Sequence, residues 1–370
     1  MLKHHSIDPL VKATCAIALA LATTYLRADS FAQTDLVSNV PGLAKTTDPN
    51  LINPWGVSFS ATSPFWVSNQ GSGTATLYNG AGTITPLVVT IPGGNPPTGP
   101  TGQVFNTSTG FQVNNAASNF IFDTLNGTIA AWNSTAGTTA VTMVSTPGAI
   151  YTGLAQATSG GSPYIYAADS TGQIRVFNSS WQPITLAGNF TDPSLPAGFV
   201  PFNIQNIGGN LYVTYAMLGP GGAPMPGGYV IEYDSSGNFI KQIAASGPLD
   251  APWGITLAPA NFGSFSDDLL VGNFGNGEIL VYDPTTDTYL GTIDGTNGLP
   301  LVNDFLWSLE TRTGGTNVNT DALYFTAGID NQEGGLFGEI TEVPEAATIF
   351  ETAFGLIVLA LVKVSRDQPN

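Results

Sequence analysis

Short runs of β-branched and aromatic residues alternate with turns built on Gly, Asn and Asp through most of the chain. This is the spacing of strands and tight turns, not of helices. One phrase recurs: an apolar strand ending in Asn or Asp, a Gly-containing turn, then a strand ending in an aromatic residue followed by Asn or Asp. It reads Ser63-Pro-Phe-Trp-Val-Ser-Asn69 with Gly71–Asn79, then Asn119-Phe-Ile-Phe-Asp123 with Gly127–Asn133, then Pro163–Asp169 with Gly172–Asn178. It returns as Asn210–Tyr215 with Gly228–Asp234, as Asp268–Asn273 with Gly277–Asp283, and as Ala322–Ala327 with Gly335–Thr341. The last copy keeps the strands and loses the terminal Asn or Asp.

A second phrase precedes several copies. Asn53-Pro-Trp-Gly-Val-Ser-Phe59 recurs as Ala251-Pro-Trp-Gly-Ile-Thr-Leu257, with looser forms at Tyr151–Leu154, Pro201–Ile204 and Phe305–Leu309. Each repeat thus supplies an inner strand, a hairpin and usually a fourth strand such as 84–90 or 289–293. Four antiparallel strands recurring roughly every 45 to 55 residues predict propeller blades. Six copies predict an all-β, six-bladed β-propeller over residues 33–342. The sixth blade lacks a fourth strand of its own, and the segment 34–40 is expected to fill that place and close the ring.

The two ends read differently. Lys3 and Lys12 precede an apolar run from Ala13 to Leu26, and Ser30-Phe-Ala32 offers small residues two apart, the layout of a secretory signal over residues 1–32. Residues 343–370 open with Val343-Pro-Glu-Ala346, continue as an apolar stretch to Val362, and end with Lys363 and Arg366. The stretch predicts a C-terminal hydrophobic helix of roughly 24 Å, short against a hydrocarbon core of about 30 Å. These residues resemble the PEP-CTERM sorting signal of Gram-negative bacteria, with Val343, Pro344 and Glu345 as the motif. The resemblance implies an exosortase-type sorting machinery as partner and an exported protein, held at the outer surface by the tail or released. The chain departs from that pattern at Ala346, where a second Pro is expected, at Glu351 inside the helix, and at Asp367.

The repeat region is in turn similar to a family of exported bacterial proteins with a propeller related to the NHL-type six-bladed group. Leu36–Ala44, Asp48–Gly56 and Pro252-Trp-Gly-Ile255 carry this likeness. It implies fold and export, and no particular activity.

Composition narrows the chemistry. Charged residues make up only 9% of the chain and the formal net charge is −17. Between the terminal segments the cations are Lys45, Arg175, Lys241 and Arg312, too few to neutralise a run of phosphates, so nucleic acid is not an expected partner. Cys15, His4 and His5 all lie in the first fifteen residues. Removal of the signal would leave neither thiol nor imidazole, and with them would go Cys/His zinc sites and Ser-His-Asp or Cys-His catalysis.

Candidate chemistry then falls at the axis. A propeller's inner strands start at the face where its second strands end. Asn53, Trp55, Gln103, Thr152, Asn203, Trp253, Asp304 and Trp307 lie at or near inner-strand starts, and Asn69, Asp123, Asp169 and Asn273 at second-strand ends. As a ring they would bind a sugar, a peptide or a cation. Taken singly, such Asn and Asp residues satisfy turn amides, and Trp in Pro-Trp-Gly packs between blades. The expected role is binding or scaffolding at the envelope or in its extracellular matrix, with a polysaccharide or protein ligand and no required cofactor. The alternative is a metal-dependent hydrolase at the axial mouth. Calcium is the metal its oxygen donors suit, although Asp294–Gly298 and Asp330–Gly334 lack the alternating spacing of a calcium loop. Asp123 and Asp169 are the one carboxylate pair to nominate for glycoside hydrolysis.

Overall fold

A computed structural model describes residues 29–93 and 98–344. Five four-stranded sheets and one five-stranded sheet form the six blades; each begins on an inner strand and steps outward in chain order, except that the outer strands of the sixth come from the N-terminal segment. The inner strands are Pro54–Ser58, Pro100–Phe105, Tyr151–Ser159, Phe199–Ile207, Pro252–Leu257 and Leu306–Thr311, in blades one to six. Each neighbours the next around the ring, and that of blade six meets that of blade one.

Closure follows the expected route. Ser30–Ser38 is hydrogen-bonded to Leu336–Val343 as the outer strand of blade six, and Thr46–Thr47 adds a short parallel pairing outside it. The closing strand starts earlier than the sequence suggested. It takes in Ser30, Phe31 and Ala32, which the sequence had assigned to the signal. Phe31 is buried against Phe262, ring centroids 4.6 Å apart, and its N–H donates to the Asp294 carbonyl.

The core is distributed. One buried apolar cluster lies between each adjacent pair of blades: Trp66, Leu77 and Phe122 join blades one and two, and Ile121, Tyr151 and Phe177 join two and three. Tyr166, Val213 and Ile231 join three and four, and Val230, Ile255 and Val271 join four and five. Leu270, Leu306 and Phe325 join five and six, and Leu36, Val67 and Phe337 join six and one. Each blade therefore buries both faces, which is why its strands read as apolar runs and not as strict alternation. A seventh cluster, aromatic, sits on the axis.

The helix expected over the C-terminal apolar stretch, the bulk of the leader and Glu345 of the sorting motif lie outside the described residues. Val343 ends the last strand, and Pro344 is the last residue described. Among the described residues no helix is long and apolar enough to cross a membrane.

Candidate functional site

One position near the start of each inner strand is glycine in four of the six blades. It is Gly56, Gly102, Gly153 and Gly254 in blades one, two, three and five, with Asn203 in blade four and Ser308 in blade six. A Cβ at Gly56 would come within 2.6 Å of the Thr101 carbonyl, and one at Gly102 would collide with the backbone of Gly153 and Leu154. At Gly153 it would strike Asn203, and at Gly254 the Trp307 carbonyl. Glycine here lets neighbouring inner strands touch backbone to backbone. The channel is pinched to about 10 Å³, room for about one water, between Gly102, Gln103, Asn203, Gln205 and Glu310.

Above the pinch, at the face where inner strands begin, the aromatic cluster plugs the axis. Trp55 and Trp307 stack with centroids 3.4 Å apart, Trp253 meets both edge-on, and Phe274 tilts against Trp307 at 4.4 Å. In blades one, five and six the strand is entered through Asn53, Ala251 and Phe305, all in left-handed backbone with φ of 44°, 49° and 54°. This conformation costs a non-glycine residue about 1–3 kcal/mol and concentrates at functional sites. Here it occurs two residues before each tryptophan of the cluster and so aims all three indoles at the axis.

The indole N–H groups differ in what they meet. That of Trp307 donates to Asn53 Oδ1 at 2.9 Å and that of Trp253 to the Thr152 carbonyl at 2.9 Å. The N–H of Trp55 is buried and has no partner among the described residues. Trp55 lines a pocket of about 600 Å³ with Phe202, Phe274, Phe305 and Trp307 as aromatic walls and Thr152, Ser170 and Gln332 as polar contacts. No charged residue lines it. Its rim includes Leu218, Gly222, Ala223 and Pro224 from the Gly/Pro insertion of blade four. That segment lengthens the hairpin, with Met217 opposite Met225 and Leu218 opposite Pro224.

The residues nominated from sequence divide into groups. Asn53, Trp55, Thr152, Trp253 and Trp307 come together in and around the plug, joined by the bonds and stacks just described, and Asn203 holds the Trp253 carbonyl through its amide at 2.9 Å. Gln103 sits lower, at the pinch, where its amide N–H₂ donates to the carbonyls of Gly56 and Trp66. The four second-strand ends hold turns and strands in place. Asn69 donates to Thr74 and Thr76, and Asn273 accepts from the Asp250 N–H and donates to the Pro248 carbonyl. Asp169 accepts from the amides of Ile150 and Thr171 and pairs with Arg175 at 2.6 Å. Asp123, fully buried, accepts from Thr101 at 2.7 Å, and burial pushes its carboxyl up to about 7. None of these four lines the axial pocket, and Asp304 is exposed in a turn before the last inner strand. Among the described residues no three His, Cys, Asp or Glu side chains gather where they could hold a metal ion.

Sequence reasoning missed Phe202 and Phe274. Phe202 was hidden inside a loose form of the inner-strand phrase, and Phe274 follows Asn273, the last residue of a second strand, with no repeat partner to flag it. A larger groove of about 740 Å³ runs along the flank between blades two and three, past Arg175 and Phe190. None of the buried side-chain polar atoms left without a partner belongs to it.

No family model matches the chain. It is 30% identical over 324 residues to the uncharacterized protein R648 of Acanthamoeba polyphaga mimivirus, covering 82% of this chain and 78% of that protein. To the uncharacterized protein L690 of the same virus it is 29% identical over 336 residues, covering 83% and 84%. Among solved structures it is similar to the soluble aldose sugar dehydrogenase of Escherichia coli in its apo form. The TM-score there is 0.53 at 12% identity, over 85% of this chain and 100% of that one. Likeness at that identity concerns the fold alone.

Proposed function

The chain belongs to the family of the mimivirus uncharacterized protein R648, and from that premise and the axial geometry we propose that it is a ligand-binding propeller. Its aromatic pocket takes a neutral, ring-shaped ligand, a saccharide unit above all. The observation that carries this reading is the buried indole N–H of Trp55, without a partner among the described residues, on a residue that lines a charge-free aromatic pocket. A buried donor without an acceptor costs about 1–3 kcal/mol, and a ligand oxygen would remove that penalty while its ring lies on the aromatic walls. Pockets of this size with aromatic walls and a few convergent polar groups are the usual form of a small-molecule site.

The alternative of a metal-dependent hydrolase at this mouth has no acidic donor cluster among the described residues to rest on. Export, and sorting through Val343, Pro344 and Glu345, are proposed on the leader-like and tail-like sequences alone. Retention of Phe31 in the core calls for leader cleavage before Ser30 instead of after Ala32.

Three of the six tryptophans are in the plug, so binding is read by intrinsic fluorescence during titration with neutral oligosaccharides. A saturable change is expected, weakened about tenfold in Trp55→Phe, which keeps the stack and removes the N–H. Oligosaccharides that leave the emission unchanged, or bind Trp55→Phe equally well, would overturn the reading.

A further inference from the structure

Below the pinch the axis opens again into a second pocket of about 330 Å³, at the face where inner strands end. Its walls come from five blades and include Ser58, Phe59, Gln103, Phe105, Gln205 and Glu310. Its lining is rich in oxygen acceptors, and two of these oxygens are buried with no partner among the described residues. Gln103 is 5% exposed, and because its N–H₂ is held by two backbone carbonyls, its Oε1 is fixed with no partner. The Ser58 hydroxyl, on a side chain 9% exposed, is also without a partner. Glu310 is held by Ser308 and Gln205, both bonding in the sense that favours its ionised form. Phe59 and Phe105 complete the wall.

Among the described residues no cation pairs with this carboxyl. Glu310 is the one titratable residue among those lining the pocket. Arg312, two residues along the same strand, is turned away: it donates to the carbonyls of Ser60 and Ser63 and lies over the rings of Phe59 and Phe65. Tyr324, opposite Glu310 in the sheet, has its hydroxyl engaged by the Asn319 N–H. We propose that this second pocket binds a small organic cation, a primary ammonium group, with Glu310 as counter-ion and Gln103 Oε1 and Ser58 Oγ as further acceptors. An ammonium carries three donors and no acceptor, which matches the groups on offer. A bare divalent ion fits less well, since it wants six or more oxygens and several carboxylates, and here there is one.

Burial pushes the Glu310 carboxyl up to about 8, so near neutral pH the empty site holds a proton. Binding exchanges it: the carboxylic acid loses its proton to solvent, and the carboxylate pairs with the ammonium. Affinity should therefore rise about tenfold per pH unit below pH 8 and level off above it.

The test is calorimetry on the intact protein with propylammonium as probe, in two buffers of different ionisation enthalpy, beside 1-propanol and calcium chloride. One propylammonium per chain is expected, with release of a proton at pH 6.5. Glu310→Gln, which keeps the shape, should weaken binding at least tenfold, and Gln103→Leu several-fold, with thermal melts showing both variants folded. Propanol binding as tightly as propylammonium, calcium binding in its place, an unaffected Glu310→Gln variant or no binding at all would each overturn the proposal. Trp55→Phe should leave this site unchanged, which separates its failure from that of the aromatic pocket.

Discussion

Trp55 of the first blade and Trp307 of the last lie face to face, ring centroids 3.4 Å apart and planes 20° from parallel, across the join where the ring closes. The pair ties the two ends of the propeller together at the axis, and Asn53 extends the tie by accepting the Trp307 N–H. Trp307 is 1% exposed. Trp307→Ala should cost about 3–5 kcal/mol in urea unfolding. Asn53→Ala and Trp307→Phe both remove the bond, so their double mutant should fall short of the sum of the singles by about 0.5–1.5 kcal/mol.

The glycines of the inner strands are a packing requirement. Gly102→Ala would drive a methyl into the backbone of Gly153 and Leu154, whereas a methyl at Gly314 meets nothing within 4 Å. Gly102→Ala is expected to destabilise by about 1–3 kcal/mol, as overpacking does, and Gly314→Ala to stay within about 0.5 kcal/mol of wild type. Equal midpoints for the two in chemical denaturation would contradict the close approach of the strands.

Stability should fall as pH rises. Asp123 goes from an ordinary 3.8 to about 7, and Glu310 from 4.5 to about 8, both through burial. A raised value means the folded state holds a proton that the unfolded state has lost. The contribution is complete below about pH 4 and is lost as pH climbs through 7 and 8. Thermal midpoints should therefore decline between pH 5 and 8.5. Asp123→Asn, whose amide oxygen can still accept from Thr101, should flatten that slope and gain on the order of 2 kcal/mol at pH 8.5. A slope unchanged in this variant would remove Asp123 as its source.

Ring closure depends on the first described strand. Phe31 and Leu36 sit in the clusters on either side of blade six. Phe31→Ala is expected to cost about 3–5 kcal/mol and Leu36→Ala about 2–5 kcal/mol. Loss in either case should appear as earlier cooperative unfolding of the whole domain in differential scanning calorimetry.

Blade number, strand order and closure were legible because each blade repeats one phrase and the sixth lacks a strand that the N-terminal segment can supply. The axial aromatic group was partly legible: Trp55, Trp253 and Trp307 sit in repeated phrases, and Phe202 and Phe274 do not. The second-strand carboxamides and carboxylates were misplaced for a physical reason. Fully buried ends such as Asn69 and Asp123 turn back to satisfy threonines beside them, and Asp169 is drawn to Arg175, so none reaches the mouth. The lower pocket was invisible except for Gln103. Glu310 and Gln205 sit at the inner-strand position that Ser58 and Thr256 hold in blades one and five, but the residue type there varies from blade to blade and flags nothing, and only the closeness of inner strands from different blades brings them together.

The central claim is that the axial aromatic pocket, with the Trp55 indole N–H as its unmet donor, is where this propeller binds. The most direct measurement is a crystal structure of the protein soaked with a mixture of neutral oligosaccharides and small ring compounds. The account predicts density in the pocket between Trp55, Phe202 and Phe274, with a ligand oxygen within about 3.2 Å of Trp55 Nε1. An empty pocket, or ligands bound along the flank groove with Trp55 untouched, would contradict it.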